Sequence, residues 1–266
     1  MEKIKSIRKL KNNQYNITTE SGMKFRASED SLVKHRLLKG QEVTSELLEE
    51  VKRESELHIG YQLALNYLNY QLRSEKEIKD HLKKKEISDD SIQYTMERLV
   101  GLGLVNDRVY AESYVRTMIR TSDKGPSVVK QQLKKRGIEE EDILGALALY
   151  TVEDQEELAL KQAEKAIRKY RQQSHHEQLS KTRQLLFTKG YSSDVIQLVM
   201  GQLEVEKDQE EEEDLLAKQG DKLWQRHRRL EPFKRKQKIK QSLYQKGFNF
   251  DDINHYLEEK ELEENE

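Results

Sequence analysis

The residues of this chain that could do chemistry are its cations. Arg116, Arg120, Lys124, Lys130, Lys134, Lys135 and Arg136 fall in one stretch, 116–136, with few acids between them. Arg116 and Arg120 are four apart, as are Lys130 and Lys134, so each pair shares a helix face. Arg73 lies upstream. A denser stretch, 222–246, carries ten Lys and Arg against one acid, Glu231; Arg228, Arg229, Lys234 and Arg235 belong to it. Their chemistry is binding: such groups neutralise phosphates or pair with acids on a partner protein, and residue types alone do not separate the two. A solvated helix face is the competing reading of any single run. For 222–246 there is a further one, pairing with its flanks. Residues 204–214 hold eight acids against Lys207, and 258–266 hold six against Lys260.

The residues of covalent and redox chemistry are missing. Cysteine is absent, which removes disulfides, thiolate nucleophiles and Cys-type zinc sites. There is no GxxxxGK[ST], HExxH or GxSxG and no glycine-rich dinucleotide turn. His175 and His176 are adjacent, so on a helix they face different directions and make a poor metal pair. No catalytic residue, cofactor or metal is expected. The N-terminus MEKIKSIRKL has no apolar core of a leader, and no apolar stretch approaches the ~18 residues of a membrane span. A cytoplasmic monomer without a membrane partner is the expectation.

What must position the cations is a repeated unit. Four copies begin at Ile78, Val129, Thr182 and Ile239, with starts 129 − 78 = 51, 182 − 129 = 53 and 239 − 182 = 57 residues apart. Leu82, Leu133, Leu186 and Leu243 align, as do Lys85, Arg136, Lys189 and Lys246, and then Ile92, Ile143, Ile196 and Ile253. Fixed periods of this size mean a stacked array. Each copy reads as two helices joined at Gly137, Gly190 or Gly247, where a Schellman stop lands Ile138, Tyr191 or Phe248 on the Leu five back. The first copy has Glu86 at that position, which predicts a looser turn or another geometry. Ser74-Glu75-Lys76-Glu77 is a capping box. Gly125 aligns with Ser74 and is followed by Pro126 at the first helical position. Ser88, Ser192 and Asn249 cap the next helices. A long helix precedes each pair and carries Leu63, Tyr114, Ile167 and Trp224 as an apolar column, so the lone Trp reads as core. Tyr110 and Tyr114 read as core as well.

Composition agrees. The 266 residues are 36% charged and 35% hydrophobic, with a mean hydropathy of −0.97, too polar for one large core but suited to small helical units. Net charge is −1, so no global bias toward nucleic acid exists. Residues 1–50 differ: short strands are expected near 3–9, 13–19 and 23–28, with turns at Asn12-Asn13 and Ser21-Gly22, then a helix over 29–38 ended by Gly40. This small sheet is expected to pack on the first repeat. The fold class is mainly α, a tandem array of three-helix repeats with a small N-terminal β extension. The domains are 1–54 (strands and linker), 55–106, 107–151, 152–204, and 205–266 with its acidic tail.

Three stretches exceed generic helix pattern: Arg73-Ser74-Glu75-Lys76-Glu77-Ile78 with Leu82; Gly101-Leu102-Gly103-Leu104-Val105-Asn106-Asp107 followed by Tyr110-Ala111 and Tyr114; and Lys124-Gly125-Pro126 with Val129, Leu133 and Arg136-Gly137-Ile138. In this order and spacing they resemble the RecX family, regulators of the bacterial RecA recombinase. The resemblance covers about 60–150 most strongly, and residues 1–50 look like the extension of its longer members. It implies a negative regulator that lies in the groove of the RecA–single-stranded-DNA filament and inhibits its ATPase, strand exchange and coprotease activities. The partners it implies are that filament and DNA, single-stranded or duplex, met through the basic patches. By their own character, Asn106 and Asp107 read as caps of the second long helix. A direct, non-sequence-specific DNA-binding repeat protein is the alternative; near-zero net charge and turns without a recognition helix weigh against sequence readout. A bare structural scaffold would need the period but not the three stretches.

Overall fold

The computed structural model describes residues 1–10, 14–203 and 208–265. The Asn12-Asn13 turn and residues 204–207 of the acidic run lie outside the described residues. The chain divides into two compact units, Met1–Tyr114 with Gln132–Ala146, and Val115–Gln131 with Leu147–Glu266.

In the first unit, strands β1 (Glu2–Lys9), β2 (Gln14–Thr19), β3 (Lys24–Ser28) and β4 (Glu42–Val43) form an antiparallel sheet in the order β3-β2-β1-β4. Ile17 faces Ile7 on one side and Phe25 on the other. The period-two alternation sends Ile4, Ile17, Phe25 and Ala27 to one buried face, where they cluster with Leu48 and Val51. Those two belong to α2 (Ser45–Leu68). Helix α1 (Glu29–Lys34) stops short of the expected 38, because Arg36 takes φ 46° and Leu37 N–H returns to Leu32 O at 3.0 Å. Gly40 makes a later turn and donates to Ile4 O at 2.8 Å. The two-residue β4 was not expected. Helix α2 starts at Ser45 because the Thr44 hydroxyl accepts from Leu47 N–H, so the 54/55 boundary falls inside a helix.

The remaining helices follow the repeat: α3 (Glu75–Lys84), α4 (Asp89–Gly101), α5 (Asp107–Thr121), α6 (Pro126–Lys135), α7 (Glu140–Leu147), α8 (Val152–Lys169), α9 (His175–Lys189), α10 (Ser193–Gln202), α11 (Gln209–Arg226), α12 (Pro232–Gln245) and α13 (Phe250–Asn265). Their aligned positions are the core. Ile78, Val129, Thr182 and Ile239 are buried, and Leu82, Leu133, Leu186 and Leu243 are all 0% exposed. Thr182 fits an apolar column because its hydroxyl is satisfied by Gln178 O at 2.8 Å. Each such Leu stabilises its unit by about 1.5–3 kcal/mol through burial. Trp224 is buried with Leu216, Ile239 and Leu243. Leu63, Tyr114 and Ile167 of the same column are half-buried.

The turns have the expected form. Gly137, Gly190 and Gly247 sit at φ 81°, 93° and 84°, and Ile138, Tyr191 and Phe248 donate to the carbonyls of Leu133, Leu186 and Leu243, each at 3.3 Å. Glu86 corrects an expectation. It adopts the same left-handed geometry, φ 61°, with Ile87 N–H on Leu82 O at 3.2 Å. A side chain fits there because Glu86 is exposed, whereas the later glycines are pressed by the preceding repeat. A Cβ on Gly137 would meet Lys76 Cβ at 2.8 Å, and one on Gly190 would meet Val128 N at 2.7 Å.

These close approaches are the joints between repeats. In the first unit, Ser74 Oγ donates to Arg136 O at 2.7 Å and Glu75 N–H to Asp107 Oδ1 at 2.8 Å. In the second, Gly125 N–H donates to Lys189 O at 2.7 Å. There too, Ser174 Oγ donates to Lys246 O at 2.5 Å and His175 N–H to Glu212 Oε2 at 2.9 Å. The cap residue of one repeat thus satisfies the carbonyl of the basic residue that precedes glycine in the next. Where Pro126 stands at the first helical position it has no N–H, and no carboxylate is needed.

Candidate binding surface

Three of the predicted contact residues are held by aromatic rings. The Arg73 guanidinium lies 4.0 Å from the centroid of Tyr67, which also stacks on His81 at 4.1 Å. Arg136 lies 4.6 Å from Tyr114 and donates from Nη1 to Gln132 O at 2.9 Å. Arg235 lies 4.0 Å from Trp224. In all three the Nε is buried without a hydrogen bond. Arg136 Nε is 3.9 Å from Glu77 Oε1, beyond hydrogen-bond length. A ring face offers such a cation about 0.5–2 kcal/mol. Arg235 is 8% exposed and is held by the Glu264 carboxylate, which also accepts from Trp224 Nε1 at 2.9 Å. That removes Arg235 from the surface. Arg73 and Arg136 are half-buried.

The other cations point outward. Arg116, Arg120, Lys134, Lys135, Arg228, Arg229 and Lys234 are exposed, and Lys124 and Lys130 half-buried. Lys134 pairs with Glu140 at 2.8 Å and Lys234 with Glu231 at 3.2 Å, exposed pairs of small energetic weight. Lys134, Lys135 and Arg136 share the first unit with Arg73. The Ser74–Arg136 joint brings them together, and there Lys76 Nζ donates to Lys135 O at 3.2 Å. Arg116, Arg120, Lys124 and Lys130 belong to the second unit.

The basic stretch 222–246 is partly neutralised by the acidic tail. Besides the Arg235–Glu264 pair, Lys236 meets Glu261 at 2.8 Å. Arg235 and Trp224 hold the Glu264 carboxyl below its ordinary pKa. Sequence reading left the pairing of this tail open; it counted Lys222 and Arg226 in the basic stretch without placing them among the contact residues, and it missed Lys218. They recur every four residues along α11 and line a cavity with Lys246. The i, i+4, i+8 spacing was the available signal.

Asn106 caps α5, accepting from Val109 N–H at 3.0 Å. Asp107 does not cap α5; its carboxylate crosses to Glu75 N–H at the start of α3. Burial pushes its pKa up, and that hydrogen bond opposes the shift. Tyr110 is buried, with its hydroxyl pKa pushed by that burial to about 12. Tyr114 is half-buried beneath Arg136. Burial and then the charges of Lys85 and Arg73 lower the His81 pKa, which keeps it a neutral stacking partner for Tyr67. Among the described residues no group of three or more His, Asp or Glu is placed to hold a metal ion, and no helix is long and apolar enough to cross a membrane.

Comparison with known proteins gives this architecture a family. The model described as "RecX, first three-helix domain" matches residues 61–99, the second domain 106–147, and the third matches twice, 153–200 and 210–257. A protein of Enterococcus faecalis named "Regulatory protein RecX" is 47% identical over 266 residues, covering 100% of both chains. One of the same name from Levilactobacillus brevis is 42% identical over 244 residues, 92% of each. A solved structure described as "Crystal structure of regulatory protein RecX" superposes with a TM-score of 0.60 at 37% identity, covering 76% of this chain and 100% of that one. Full-length identity at this level, together with four matched three-helix segments, shows that the chain belongs to the RecX family of regulatory proteins.

Proposed function

We propose that this protein is a negative regulator of the RecA recombinase. It binds in the groove of the RecA–single-stranded-DNA filament and inhibits ATPase, strand exchange and coprotease activities. It acts without catalysis or cofactor of its own, as a cytoplasmic monomer that modulates DNA repair and recombination. The observation that carries this is the full-length similarity to proteins named "Regulatory protein RecX". The geometry supports it. Repeats locked through caps and carbonyls leave their outward helix faces to a partner, and several modest contacts spaced along such faces gain by effective concentration. The contact residues on this reading are Arg116, Arg120, Lys124, Lys130, Lys134 and Lys135, with Arg228, Arg229 and Lys234 in the fourth repeat. Arg73, Arg136 and Arg235 act from beneath as stacked supports.

The deciding measurement is the DNA-dependent ATPase of the cognate recombinase as the protein is added at two salt concentrations, alongside binding to bare single-stranded DNA. Inhibition well below the concentration that coats bare DNA supports filament recognition. Inhibition only at saturation of the DNA overturns it, in favour of a direct DNA-binding repeat protein. That second reading is favoured by one observation, the cationic groove on α11.

A further inference from the structure

The first unit carries a groove with an apolar stripe and an acidic lining. On α4, Ile92, Met96 and Val100 fall four apart and make a stripe about 12 Å long. Val100 is 45% exposed. The stripe lines a cavity of about 890 Å³, together with α3 residues, Asp107, Gly137 and the start of α7. Every lining residue belongs to the first unit. Seven carboxylates line the cavity against three lysines, and the lysines are already engaged. Lys79 meets Glu75 at 3.0 Å and Lys83 meets Asp89 at 3.6 Å, while Lys76 Nζ donates to Lys135 O. Among the described residues, the side chains of Asp80, Glu139 and Asp142 form no hydrogen bond or ion pair. Asp80 and Glu139 are exposed and Asp142 is half-buried. The lining registers this uncancelled charge. Burial raises the Asp107 pKa, the bond from Glu75 N–H opposes the rise, and the charges of Glu75 and Asp142 add to it.

We propose that this groove docks a basic amphipathic helix of a partner protein, with apolar side chains on the α4 stripe and lysines or arginines against Asp80, Glu139 and Asp142. Charge complementarity selects that occupant. The stripe is as long as about two turns of helix, and anchors four residues apart are how such helices engage a groove. Met96 gives the stripe an adaptable side chain. The acidic lining repels nucleic acid. A polyamine or a metal ion gains nothing from the stripe, and among the described residues no group of carboxylates is placed to hold a metal. The outward cations and this groove therefore serve partners of opposite charge.

This inference goes beyond the recombinase reading, and its test contains no recombinase, so either can fail alone. The probe is a labelled, end-capped helical peptide with leucines on one face and lysines on the other. Its binding to the full chain is followed by anisotropy. D80K/E139K is expected to weaken binding about tenfold or more, and V100N about threefold through the lost apolar contact. Should D80K/E139K fail to fold, D80N/E139Q carries the same test, with a loss of about threefold. Affinity within twofold of wild type in a charge variant that melts normally overturns the proposal. So does a V100N protein that binds as well as wild type, which would leave charge alone as the attraction. A peptide with glutamates in place of the lysines that binds equally overturns it too. Spermine that displaces the peptide at the peptide's own concentration would make the groove a small-cation site and would also overturn it.

Discussion

Adding one methyl group at Gly125 tests whether the joints between repeats hold the second unit together. Gly125 has no left-handed φ, so alanine there meets no backbone penalty of its own. Its Cβ would lie 2.5 Å from the carbonyl carbon and oxygen of Gly190 and 2.6 Å from Tyr191 N. Carbon contacts relax at about 3.5–4.0 Å, so the two backbones must part by roughly 1 Å. That movement stretches Gly125 N–H to Lys189 O, now 2.7 Å, and Ser127 N–H to Gly190 O, now 3.1 Å. Overpacking of this kind costs about 1–3 kcal/mol, and each hydrogen bond lost adds about 1 kcal/mol. The expected destabilisation is about 3–5 kcal/mol, a fall in Tm of roughly 6–20 °C for a unit of this size. Gly145→Ala is the control. Gly145 lies inside α7, with nothing within 4 Å of a Cβ, so alanine should stabilise by about 0.5–1 kcal/mol. Thermal and urea unfolding followed by circular dichroism reads both. A Gly125→Ala protein melting within 2 °C of wild type would refute the joint as a steric constraint.

Glu86→Gly should stabilise the first unit by about 0.5–1 kcal/mol, since relief of roughly 1–2 kcal/mol of left-handed strain exceeds the added unfolded-state entropy of glycine; an unchanged or lower urea midpoint would count against it. Asp107→Ala should cost about 1–3 kcal/mol by leaving Glu75 N–H unsatisfied, while Asp107→Asn, which keeps an acceptor, should retain most of that stability; equal losses in the two variants would mean the carboxylate acts otherwise. Trp224 is the only tryptophan, so its emission reports the tail directly: Glu264→Ala should shift it to the red. In the wild-type protein the same shift should come on acidification. The Glu264 carboxyl has a depressed pKa, so its bond to Arg235 is present above the ordinary carboxylate range and is lost as pH falls through the depressed value. Emission that ignores both changes would place the tail away from Trp224.

What was legible in the chain was whatever is decided within one turn of helix or one period. The Ser74–Glu77 capping box and the three glycine stops depend on residues at most five apart, the Leu82–Leu243 column on a period of 51 to 57, and all are present. The misreadings lie where a local rule met a distant partner. Asp107 sits where an N-terminal cap is expected, yet its carboxylate serves a helix that begins 32 residues earlier. Arg235 reads as one more surface cation in a basic run until Glu264, 29 residues on, folds back over it. Glu86 was expected to change the turn because glycine is the usual solution. A penalty of roughly 1–2 kcal/mol is too small to overrule three turn hydrogen bonds and the burial of Leu82.

These joints also explain how a surface so dense in charge can be free for a partner. At each joint a cap or a glycine meets a backbone carbonyl, Ser74 on Arg136, Gly125 on Lys189 and Ser174 on Lys246, and the Asp107 and Glu212 carboxylates add bonds to Glu75 N–H and His175 N–H. In each case the basic residue contributes its carbonyl to the joint. Its side chain is left to a ring, an acid or the groove: Arg136 on Tyr114, Lys189 with Asp123, Lys246 in the cationic cavity. Exposed ion pairs add about 0–1 kcal/mol each, so reversing an outward cation such as Arg120 or Arg229 removes little of what holds the fold. The joints and the outward side chains are therefore separate, and charge reversal at Arg120 or Arg229 is expected to leave the melting temperature nearly unchanged.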